Sequence, residues 1–387
     1  MRERLKLKTK RSKPHGFRKN KIAIIRSNPI SFDPRVTKIA LSLSKRYEVL
    51  ILGWDRECYY APREMISNSV LIKRFRRKAP YGRISLALFL PVYQAWVLLN
   101  LLAYSPNIVH ACDLDGAIPS YIFKMILRRK MLFDVFDRYC WVYLHSKMKR
   151  IYPFIKIFEE AIASKSDYLI TVSKGALDTF VLQPSSRAVI PNYPVDSRIT
   201  KKRCSSATDN IFKVVFTGGI RSDRGLLQVC KAIESLKNVK LIVAGKIIEW
   251  NFFKHISSLP NVEYRGLLPY RKALELQATA DVIPVFVDPS LPTFHTVNPN
   301  KLFEAMMLSV PVITNVVTEV SRFGCGIVTS YGDINGIRNA ILYLKSHPEL
   351  RIRMGSKGRA AFEHKYNWKS TERKLFQIYD ELLKNHA

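Results

Sequence analysis

The chain has 387 residues, 63 of them lysine or arginine and 31 aspartate or glutamate, so its formal net charge is +32. Hydrophobic residues make up 47% of the chain, which excludes a disordered or fibrous protein and provides enough apolar surface for two domains. The positive charge favours an anionic partner, which could be nucleic acid, an anionic membrane or a phosphorylated small molecule. The six cysteines form no CxxC pair, which argues against a zinc ribbon and indicates a reducing compartment.

The first 20 residues carry nine lysines or arginines and a single acidic residue, Glu3. No apolar stretch follows them, so the segment does not have the pattern of a secretory signal. We therefore interpret residues 1–20 as a disordered basic arm. Two roles remain open for it. It is either a solvated tail or an electrostatic anchor, to which each basic residue near an anionic leaflet contributes about 1 kcal/mol.

From residue 21 onward, short apolar runs alternate with amphipathic stretches. Alternation of this kind predicts a parallel sheet covered by helices on both faces, here over an N-terminal domain of residues 21–195. The predicted strands are 21–27, 47–53, 107–113, 131–137, 167–173 and 188–192, and the predicted helices are 35–46, 116–127 and a stretch that begins at 151.

Residues 84–104 form an apolar stretch without a single charged residue. The stretch is long enough to span a bilayer. However, Pro91, Gln94 and Asn100 interrupt it, and a span here would place the two parts of one domain on opposite sides of a membrane. We therefore favour a buried or interfacial helix. The basic run at residues 73–78 is typical of an interfacial membrane anchor beside such a helix.

A polar segment, residues 196–210, separates this series from a second one and predicts an interdomain linker. The second series predicts another doubly wound domain over residues 211–366, and a cleft between the carboxyl ends of the strands of both domains is where a ligand would bind. The predicted strands are 212–219, 239–245, 261–266, 281–287, 311–315 and 326–330, and the predicted helices are 226–236, 270–280, 301–308, 333–347, 348–363 and 368–384.

Several common catalytic motifs are missing from the sequence. It contains no GxxxxGK[ST], HExxH, GxSxG or GxGxxG pattern. These absences argue against a P-loop ATPase, a zincin, an α/β-hydrolase and a standard dinucleotide dehydrogenase.

The segment from Asn298 to Met307 runs from a loop directly into a predicted helix. The start of a helix presents free backbone N–H groups and the positive end of the helix dipole, both of which suit a phosphate. Glu304 lies one turn into the helix. Its carboxylate either accepts hydrogen bonds from a sugar diol or faces solvent and stabilises the helix start, and these residues alone leave both readings open.

A second segment places paired glycines at the end of a predicted strand. Gly218 and Gly219 would let a ligand approach the backbone closely, because they have no side chain. Arg221 and Arg224 follow them, and two guanidinium groups can clamp a diphosphate. Turns of this composition are common, so the segment by itself is a weak signal.

In their order and spacing these segments resemble the retaining glycosyltransferases of family 4. Members of that family have the GT-B fold, an α/β architecture of two tandem Rossmann-like doubly wound domains that face a cleft. The resemblance extends from about residue 21 to 383. The segments that carry it are DPRV at 33–36, HACD at 110–113, TVS at 171–173, PN at 191–192, the glycine turn at 218–225, NVEYRG at 261–266 and the helix start at 300–304.

The resemblance implies that the C-terminal domain binds a nucleotide-sugar donor, that the N-terminal domain binds the acceptor, and that a C-terminal helix in residues 367–387 crosses back to the N-terminal domain. Arg224 matches the family's phosphate-binding cation, Arg221 is a second clamp, and Glu304 matches the acidic residue that holds the ribose. The implied donor-binding residues are Gly218, Gly219, Arg221, Arg224, Thr296, Asn300, Lys301, Leu302, Phe303 and Glu304.

Two positions depart from the family pattern. Many members have a second glutamate eight residues before the position of Glu304, where this chain has Thr296. Many also have a histidine two residues after the position of His110, where this chain has Cys112. Both departures leave the identity of the donor open. Candidate replacements are Asn298, Asn300 or His295 for the glutamate, and His110 or Asp113 for the histidine.

The mechanism implied by the resemblance needs neither a metal ion nor a cofactor, because arginines and a helix start can stabilise the charge of a leaving diphosphate. A DxD pattern occurs at Asp113-Leu114-Asp115, but in the acceptor domain. The acceptor hydroxyl would attack from the side of the leaving group, with the departing phosphate as base, so no nucleophile of the protein is named. The residues assigned to catalysis are Arg224, Glu304, His110 and Asp113.

The sequence thus predicts a retaining hexosyltransferase that moves a sugar from a UDP- or GDP-sugar to a lipid-linked or polysaccharide acceptor. Much of the basic excess lies in the predicted acceptor domain, which predicts a cytoplasmic enzyme that is peripheral on the anionic inner leaflet of the membrane. A nucleic-acid-binding protein is an alternative, but the sequence has no RNP motif, KH loop or zinc module. A sugar-nucleotide epimerase of the same fold is another, as is a phosphorylase, although no lysine has the context of a pyridoxal-phosphate site.

Overall fold

The structure, a computed structural model, describes residues 20–79, 84–144, 149–199, 211–296 and 298–384. Residues 1–19 of the predicted basic arm and residues 200–210 of the predicted linker lie outside the described residues. The start of that linker, 196–199, has neither helix nor strand.

The N-terminal part of the chain is built on one eight-stranded sheet. Its strands follow the order β3-β4-β2-β1-β5-β6-β7-β8, and every neighbouring pair is parallel except β3 and β4. Both faces of the central strands are buried because their sequences are continuous apolar runs, as in β1, KIAIIR. The strands are β1 Lys21–Arg26, β2 Glu48–Asp55, β3 Arg63–Ser67, β4 Val70–Arg76, β5 Ile108–Cys112, β6 Lys130–Val135, β7 Tyr168–Thr171 and β8 Arg187–Val189.

Helices cover this sheet on both faces. Helix α1 begins at Pro34 because Asp33 caps it, with a side-chain oxygen 3.1 Å from the backbone nitrogen of Val36. It packs on one face, whereas α2, α3 and α5 pack on the other. The helices are α1 Pro34–Leu43, α2 Ile84–Tyr104, α3 Asp113–Leu127, α4 Trp141–Leu144, α5 Tyr152–Lys165 and α6 Lys174–Asp178.

The C-terminal part of the chain has two three-stranded parallel sheets, with the orders β11-β10-β9 and β12-β13-β14. The two sheets meet edge to edge, where the nitrogen of Val215 lies 3.2 Å from the carbonyl oxygen of Val282. Together they form one layer between helices. The strands are β9 Phe212–Thr217, β10 Val239–Ala244, β11 Val262–Tyr264, β12 Ile283–Val285, β13 Val312–Thr314 and β14 Gly326–Val328; the helices are α7 Leu226–Ile233, α8 Trp250–Ser257, α9 Tyr270–Ala278, α10 Asn300–Met307, α11 Val317–Phe323, α12 Ile334–Ser346, α13 Pro348–His364 and α14 Trp368–Lys384.

The last helix, α14, packs on the N-terminal sheet rather than on the C-terminal one. Its apolar side, with Trp368, Leu375, Ile378, Tyr379 and Leu382, joins the same buried cluster as α1 and strands β1 and β2. The indole of Trp368 also donates a 2.9 Å hydrogen bond to Ser42 in α1. The core of the N-terminal domain is therefore completed by residues from the other end of the chain.

The predicted α/β architecture is confirmed, and most predicted strands and helices lie within a few residues of the observed ones. The sequence analysis missed the antiparallel β3–β4 hairpin and several short helices, including α6, α8 and α11. The apolar stretch 84–104 is one helix, α2. In the parts of the chain that the structure describes, no helix combines the length and apolarity that crossing a bilayer requires.

Candidate active site

The donor side of the cleft is organised by a close contact between two glycines. Gly218 follows β9 and Gly245 follows β10, and both have positive φ, 144° and 147°. A Cβ on Gly245 would lie 1.7 Å from the carbonyl oxygen of Gly218, so only glycine fits there. A Cβ on Gly218 would point at Lys301, 3.8 Å away. The glycine turn and the start of α10 therefore border the same space, as the sequence analysis expected for a phosphate site.

Two arginines follow this turn. Arg221 and Arg224 are both roughly two-fifths exposed and both face the carboxylate of Asp223, at 2.8 Å and 3.6 Å. Gly225 behind them has φ 66°, and a Cβ on it would lie 2.6 Å from the side chain of Phe286. Close packing against the sheet thus fixes the turn, while the guanidinium groups keep exposed surface toward the cleft.

Helix α10 starts without a side-chain cap, because Pro299 occupies the capping position. Its first backbone N–H groups are therefore free of a side-chain acceptor and are suited to a phosphate. The side chains of Leu302 and Phe303 are fully buried. Both residues were predicted to bind the donor, and because their side chains are buried, only their backbone atoms can face the site.

Glu304 is buried and paired within the domain. Its Oε2 accepts hydrogen bonds from Lys301 at 2.7 Å and from Gln277 at 2.8 Å. Tyr270 lies close by, and burial together with the negative charge of Glu304 raises the pKa of the tyrosine hydroxyl. Of the two alternatives for Glu304, a solvent-facing side chain is therefore excluded. A buried carboxylate beside the helix start remains compatible with the predicted contact to a ribose.

The loop before α10 contacts the N-terminal domain. The carbonyl of Thr296 accepts a 2.6 Å hydrogen bond from Ser173, and Asn298 donates one of 3.1 Å to the carbonyl of Val172. A Cβ on Gly175 would lie 2.4 Å from the carbonyl oxygen of residue 295, so the two domains meet closely here. Thr296 is buried in this contact, which leaves its predicted role in donor binding untested.

A second bridge between the domains runs through Asn192. Its amide donates to the Oδ1 of Asn300 at 3.1 Å, and its own Oδ1 accepts from Lys38 at 2.8 Å. Burial and the nearby charge of Arg35 lower the pKa of Lys38 to about 7. The start of α10 is thus linked through hydrogen bonds to α1 of the opposite domain.

The acceptor side is formed by the carboxyl ends of β1, β5 and β6. Asp113 follows β5 with a positive φ of 54°, an uncommon conformation for a non-glycine residue. Its carboxylate pairs with Arg26 at the end of β1 and accepts a 3.0 Å hydrogen bond from the nitrogen of Phe136. Burial raises the pKa of Asp113 to about 6, although Arg26 acts in the opposite direction.

Asp137, just after β6, is a site residue that the sequence analysis missed. Its side chain keeps exposed surface, and the partial loss of solvent beside the surrounding protein raises its pKa. The charges that oppose the shift belong to Arg224, Arg26 and Arg221. The cleft therefore brings the carboxylate of Asp137 in one domain toward Arg221 and Arg224 of the other. A charged residue at or near the carboxyl end of a parallel strand was the signal that could have identified both Arg26 and Asp137.

His110, expected to take part in catalysis, is fully buried within the N-terminal domain. Its Nδ1 lies 2.7 Å from the hydroxyl of Tyr379 in α14, and its Nε2 lies 3.1 Å from Asp134. Asp134 also accepts two hydrogen bonds from Arg35. Direct contact of His110 with a substrate does not fit this placement, because both ring nitrogens are engaged inside the core. Asp113, in contrast, borders the cleft.

His110, Cys112 and Asp134 lie close enough together to suggest a metal site, since one ligand atom of each falls within 4.8 Å of the others. The guanidinium of Arg35 binds the same carboxylate, at 2.8 and 3.0 Å, and its charge disfavours a cation there. Burial alone would raise the pKa of Asp134, but Arg35 and His110 outweigh it and lower the pKa. His110 and Asp134 therefore fit a structural hydrogen-bond network with Arg35 and Tyr379 better than a metal centre.

The comparisons with known proteins agree with this geometry. Residues 211–347 match the family model described as Glycosyl transferases group 1. They contain the glycine turn, both arginines and the whole of α10. No curated protein sequence matches the chain.

Solved structures with the same architecture match nearly the whole chain. A sucrose-phosphate synthase from Thermosynechococcus elongatus has a TM-score of 0.76 at 14% identity, with 95% of this chain and 100% of that one covered. Anabaena HepE in complex with UDP and glucose has a TM-score of 0.70 at 15% identity, with 93% and 99% covered. An E. coli structure described as trehalose-6-phosphate bound with UDP-2-fluoro glucose has 0.68 at 10% identity, with 94% and 99% covered. At these identities the likeness shows the fold, and it confirms the predicted GT-B architecture.

Proposed function

We propose that this chain, whose residues 211–347 match the family model described as Glycosyl transferases group 1, transfers a hexosyl group with retention from a UDP-sugar to a glycan or lipid-linked acceptor. One observation carries the proposal. The glycine turn, the two arginines and the uncapped start of α10 border a single cleft, and carboxylates of the other domain line its opposite side.

We choose UDP among the nucleotides because two of the similar structures contain UDP or a UDP-sugar. HepE was solved with UDP and glucose, and the E. coli structure with a fluorinated UDP-glucose. In this chain the diphosphate would lie between Gly218, Arg224 and the first N–H groups of α10, and Glu304 would accept hydrogen bonds from the ribose. Lys301, 2.7 Å from Glu304, would turn toward a phosphate when the donor binds.

The proposed reaction exchanges one bond for another. The oxygen of the acceptor hydroxyl bonds to the anomeric carbon, and the bond from that carbon to the β-phosphate oxygen breaks. UDP departs with the electron pair, and the hydroxyl proton passes to the departing phosphate. Arg221, Arg224 and the start of α10 stabilise the negative charge that develops, so the reaction as proposed requires no metal ion.

Asp113 and Asp137 would act on the acceptor. A carboxylate at the carboxyl edge of the sheet can accept a hydrogen bond from a sugar hydroxyl and orient it toward the anomeric carbon. The positive φ of Asp113 and its contact with Arg26 hold one of these carboxylates in place. We further propose that the acceptor is lipid-linked and that the enzyme works at the anionic inner leaflet, because basic residues are numerous in the acceptor domain.

A thermal-shift comparison of UDP, GDP, ADP and UDP-glucose tests the donor site. A ligand that binds only the native state raises the unfolding temperature by mass action. We expect UDP and UDP-glucose to give the largest shifts. Arg224→Ala should weaken UDP binding about 10- to 100-fold, because it removes a charge-assisted contact to phosphate.

Arg353→Ala is the matched control, since Arg353 is an exposed arginine of the same domain in α13. It should leave the shift unchanged. Transfer of labelled glucose from UDP-glucose to a lipid extract, with the anomeric configuration of the product determined by NMR, tests retention. If no nucleotide stabilises the protein, or if both arginine variants behave alike, the proposed donor site is wrong.

A further inference from the structure

Three neighbouring helices on one face of the N-terminal sheet present large apolar side chains to solvent. Helices α2 and α3 pack side by side, and α5 lies next to α3. In α2 the exposed positions 88, 92, 95, 99 and 102 recur every three or four residues, which is the spacing of a continuous stripe, and α3 and α5 each contain exposed pairs with the same spacing. We call these residues the apolar face: Leu88, Val92, Leu99 and Leu102 of α2; Ile122, Met125, Ile126 and Leu127 of α3; and Phe154, Ile157 and Phe158 of α5.

The same helices already bury their opposite sides. In α2, Tyr93, Val97 and Leu101 are fully buried against the sheet, so the helix is apolar on both its inner and outer surfaces. The stability of the domain therefore does not explain the outer stripe. Leu99, Met125 and Phe154, one from each helix, are 66%, 63% and 72% exposed. A contiguous apolar patch of this kind marks an interaction site.

The acidic residues of the three helices do not lie on the apolar face: Asp115, Glu159 and Glu160 are buried, and Asp113 pairs with Arg26 at the cleft. The sequence has no acidic residue between positions 84 and 112, between 116 and 133, or between 149 and 158. Exposed basic residues stand at the ends of the three helices, both at the cleft edge of the sheet and at the opposite edge. They are Arg77 and Lys78 before α2, Arg128 after α3, and Lys149 and Arg150 before α5. Apolar side chains surrounded by cations complement lipid tails surrounded by anionic headgroups.

The face also has a fixed orientation relative to the cleft. Helix α2 follows β4, and α5 precedes β7, so both helices start at the carboxyl edge of the sheet. The cleft opens at that same edge. Leu88 and Phe154, near the starts of α2 and α5, therefore lie on the side of the face that is nearest to Asp113 and Asp137.

We propose that the apolar face docks this protein on an anionic lipid bilayer, with the side chains of α2, α3 and α5 inserted between headgroups and the basic residues at the helix ends bound to phosphates. The bilayer then lies along one face of the N-terminal domain and meets the cleft at its edge. A lipid-linked acceptor could reach the cleft without leaving the membrane. That last consequence rests on the proposed function, whereas the docking itself does not.

Vesicle flotation with the full chain tests the docking. The probes are phosphatidylcholine vesicles with and without phosphatidylglycerol. The test variant, Leu99→Ser with Met125→Ser and Phe154→Ser, removes one exposed side chain from each helix. The control variant, Leu342→Ser with Tyr343→Ser and Ile352→Ser, removes three exposed apolar side chains from α12 and α13 of the other domain.

We expect the wild type and the control variant to bind the anionic vesicles, and the test variant to bind at least about tenfold more weakly. Lys149→Glu with Arg150→Glu should also weaken binding, and should reduce its dependence on salt. Equal binding by the test variant, or equal binding to vesicles without phosphatidylglycerol, would overturn the inference. So would a wild type that ignores vesicles and self-associates while the test variant is monomeric in sedimentation velocity, because a second copy would then cover the face.

The UDP thermal shift of the same preparations separates the two proposals. A normal shift in the test variant shows that its fold and donor site are intact, so a loss of vesicle binding reports on the face. If the wild type binds anionic vesicles but no nucleotide stabilises it, the docking stands and the proposed function falls. If UDP stabilises the wild type and vesicles do not bind, the docking inference falls alone.

Discussion

Removal of the carboxylate of Asp134 tests the role of the buried network in the N-terminal domain. Asp134 is fully buried and accepts hydrogen bonds from Nε and Nη2 of Arg35, at 3.0 and 2.8 Å. It also pairs with His110 at 3.1 Å. In Asp134→Ala the guanidinium keeps its 2.7 Å bond to the carbonyl of Ile190 but loses its counter-charge in the core. Breaking a buried pair from one side costs about 3–5 kcal/mol, a large part of the roughly 5–15 kcal/mol that stabilises a domain.

Urea unfolding measures this loss, with the near-UV circular dichroism of the buried aromatic residues as the signal. We expect the unfolding midpoint of the N-terminal domain to fall sharply in Asp134→Ala. The control is Asp380→Ala. Asp380 forms an exposed ion pair with Arg46 at 3.1 Å, a kind of pair that contributes at most about 1 kcal/mol, and it accepts a 3.2 Å hydrogen bond from Tyr47, which is worth about 1 kcal/mol more. The double variant Arg35→Met with Asp134→Leu should cost less than Asp134→Ala alone, since it buries no unpaired charge.

Two results would refute this reasoning. Equal midpoints for the Asp134→Ala and Asp380→Ala variants would mean that the network contributes little to stability. A double variant that is less stable than Asp134→Ala would mean that the lost counter-charge is not the cause. If the unfolding midpoint stays unchanged while transferase activity disappears, that result would support the catalytic role that the sequence analysis predicted for His110.

Three further predictions concern the cleft. The folded-state pKa of Asp113, about 6, lies above the ordinary 3.8. The stability that the protonated carboxyl contributes is therefore present at low pH and is lost as the pH rises through 6, by about 3 kcal/mol. Asp113→Asn should remove this part of the pH dependence in urea unfolding, and an unchanged pH profile would contradict the prediction. Gly245→Ala should abolish the UDP thermal shift by displacing Gly218, whereas Gly266→Ala, which has a positive φ but open space around its Cβ, should keep the shift. Asp137→Asn should tighten UDP binding severalfold in calorimetry, because it removes a negative charge that faces the phosphate-binding arginines; weaker binding would show that Asp137 organises the site instead.

The sequence was sufficient for features that depend on local pattern. The apolar runs and amphipathic stretches predicted the α/β series in both halves, and α14 begins and ends where the pattern 368–384 placed it. The glycine turn could also be predicted, because Gly218 and Gly219 end a short apolar run that has the length of a strand. These features depend on the periodicity of the chain itself and require no knowledge of distant contacts.

The return of α14 to the N-terminal domain followed from the family resemblance and is observed, but other features that depend on long-range contacts were not predicted. His110 lies in a strand and begins the HACD segment that carries the family resemblance, but only the return of α14 places Tyr379 against it and encloses its ring. Asp137 became a candidate only when Arg221 and Arg224 were seen across the cleft. Burial of Glu304 beneath Lys301 and Gln277 likewise depends on how α9 packs against α10, which one sequence does not reveal.

The return of α14 to the N-terminal sheet has a consequence for how the protein is made. Strands β1 to β8 leave the ribosome long before residues 368–384, so the hydrophobic surface that Trp368, Leu375 and Tyr379 cover stays open while the whole C-terminal domain is synthesised. The N-terminal domain, although translated first, cannot finish folding first. Its maturation waits for the far end of the chain, and a nascent chain stalled before α14 presents an unfinished core to chaperones and proteases.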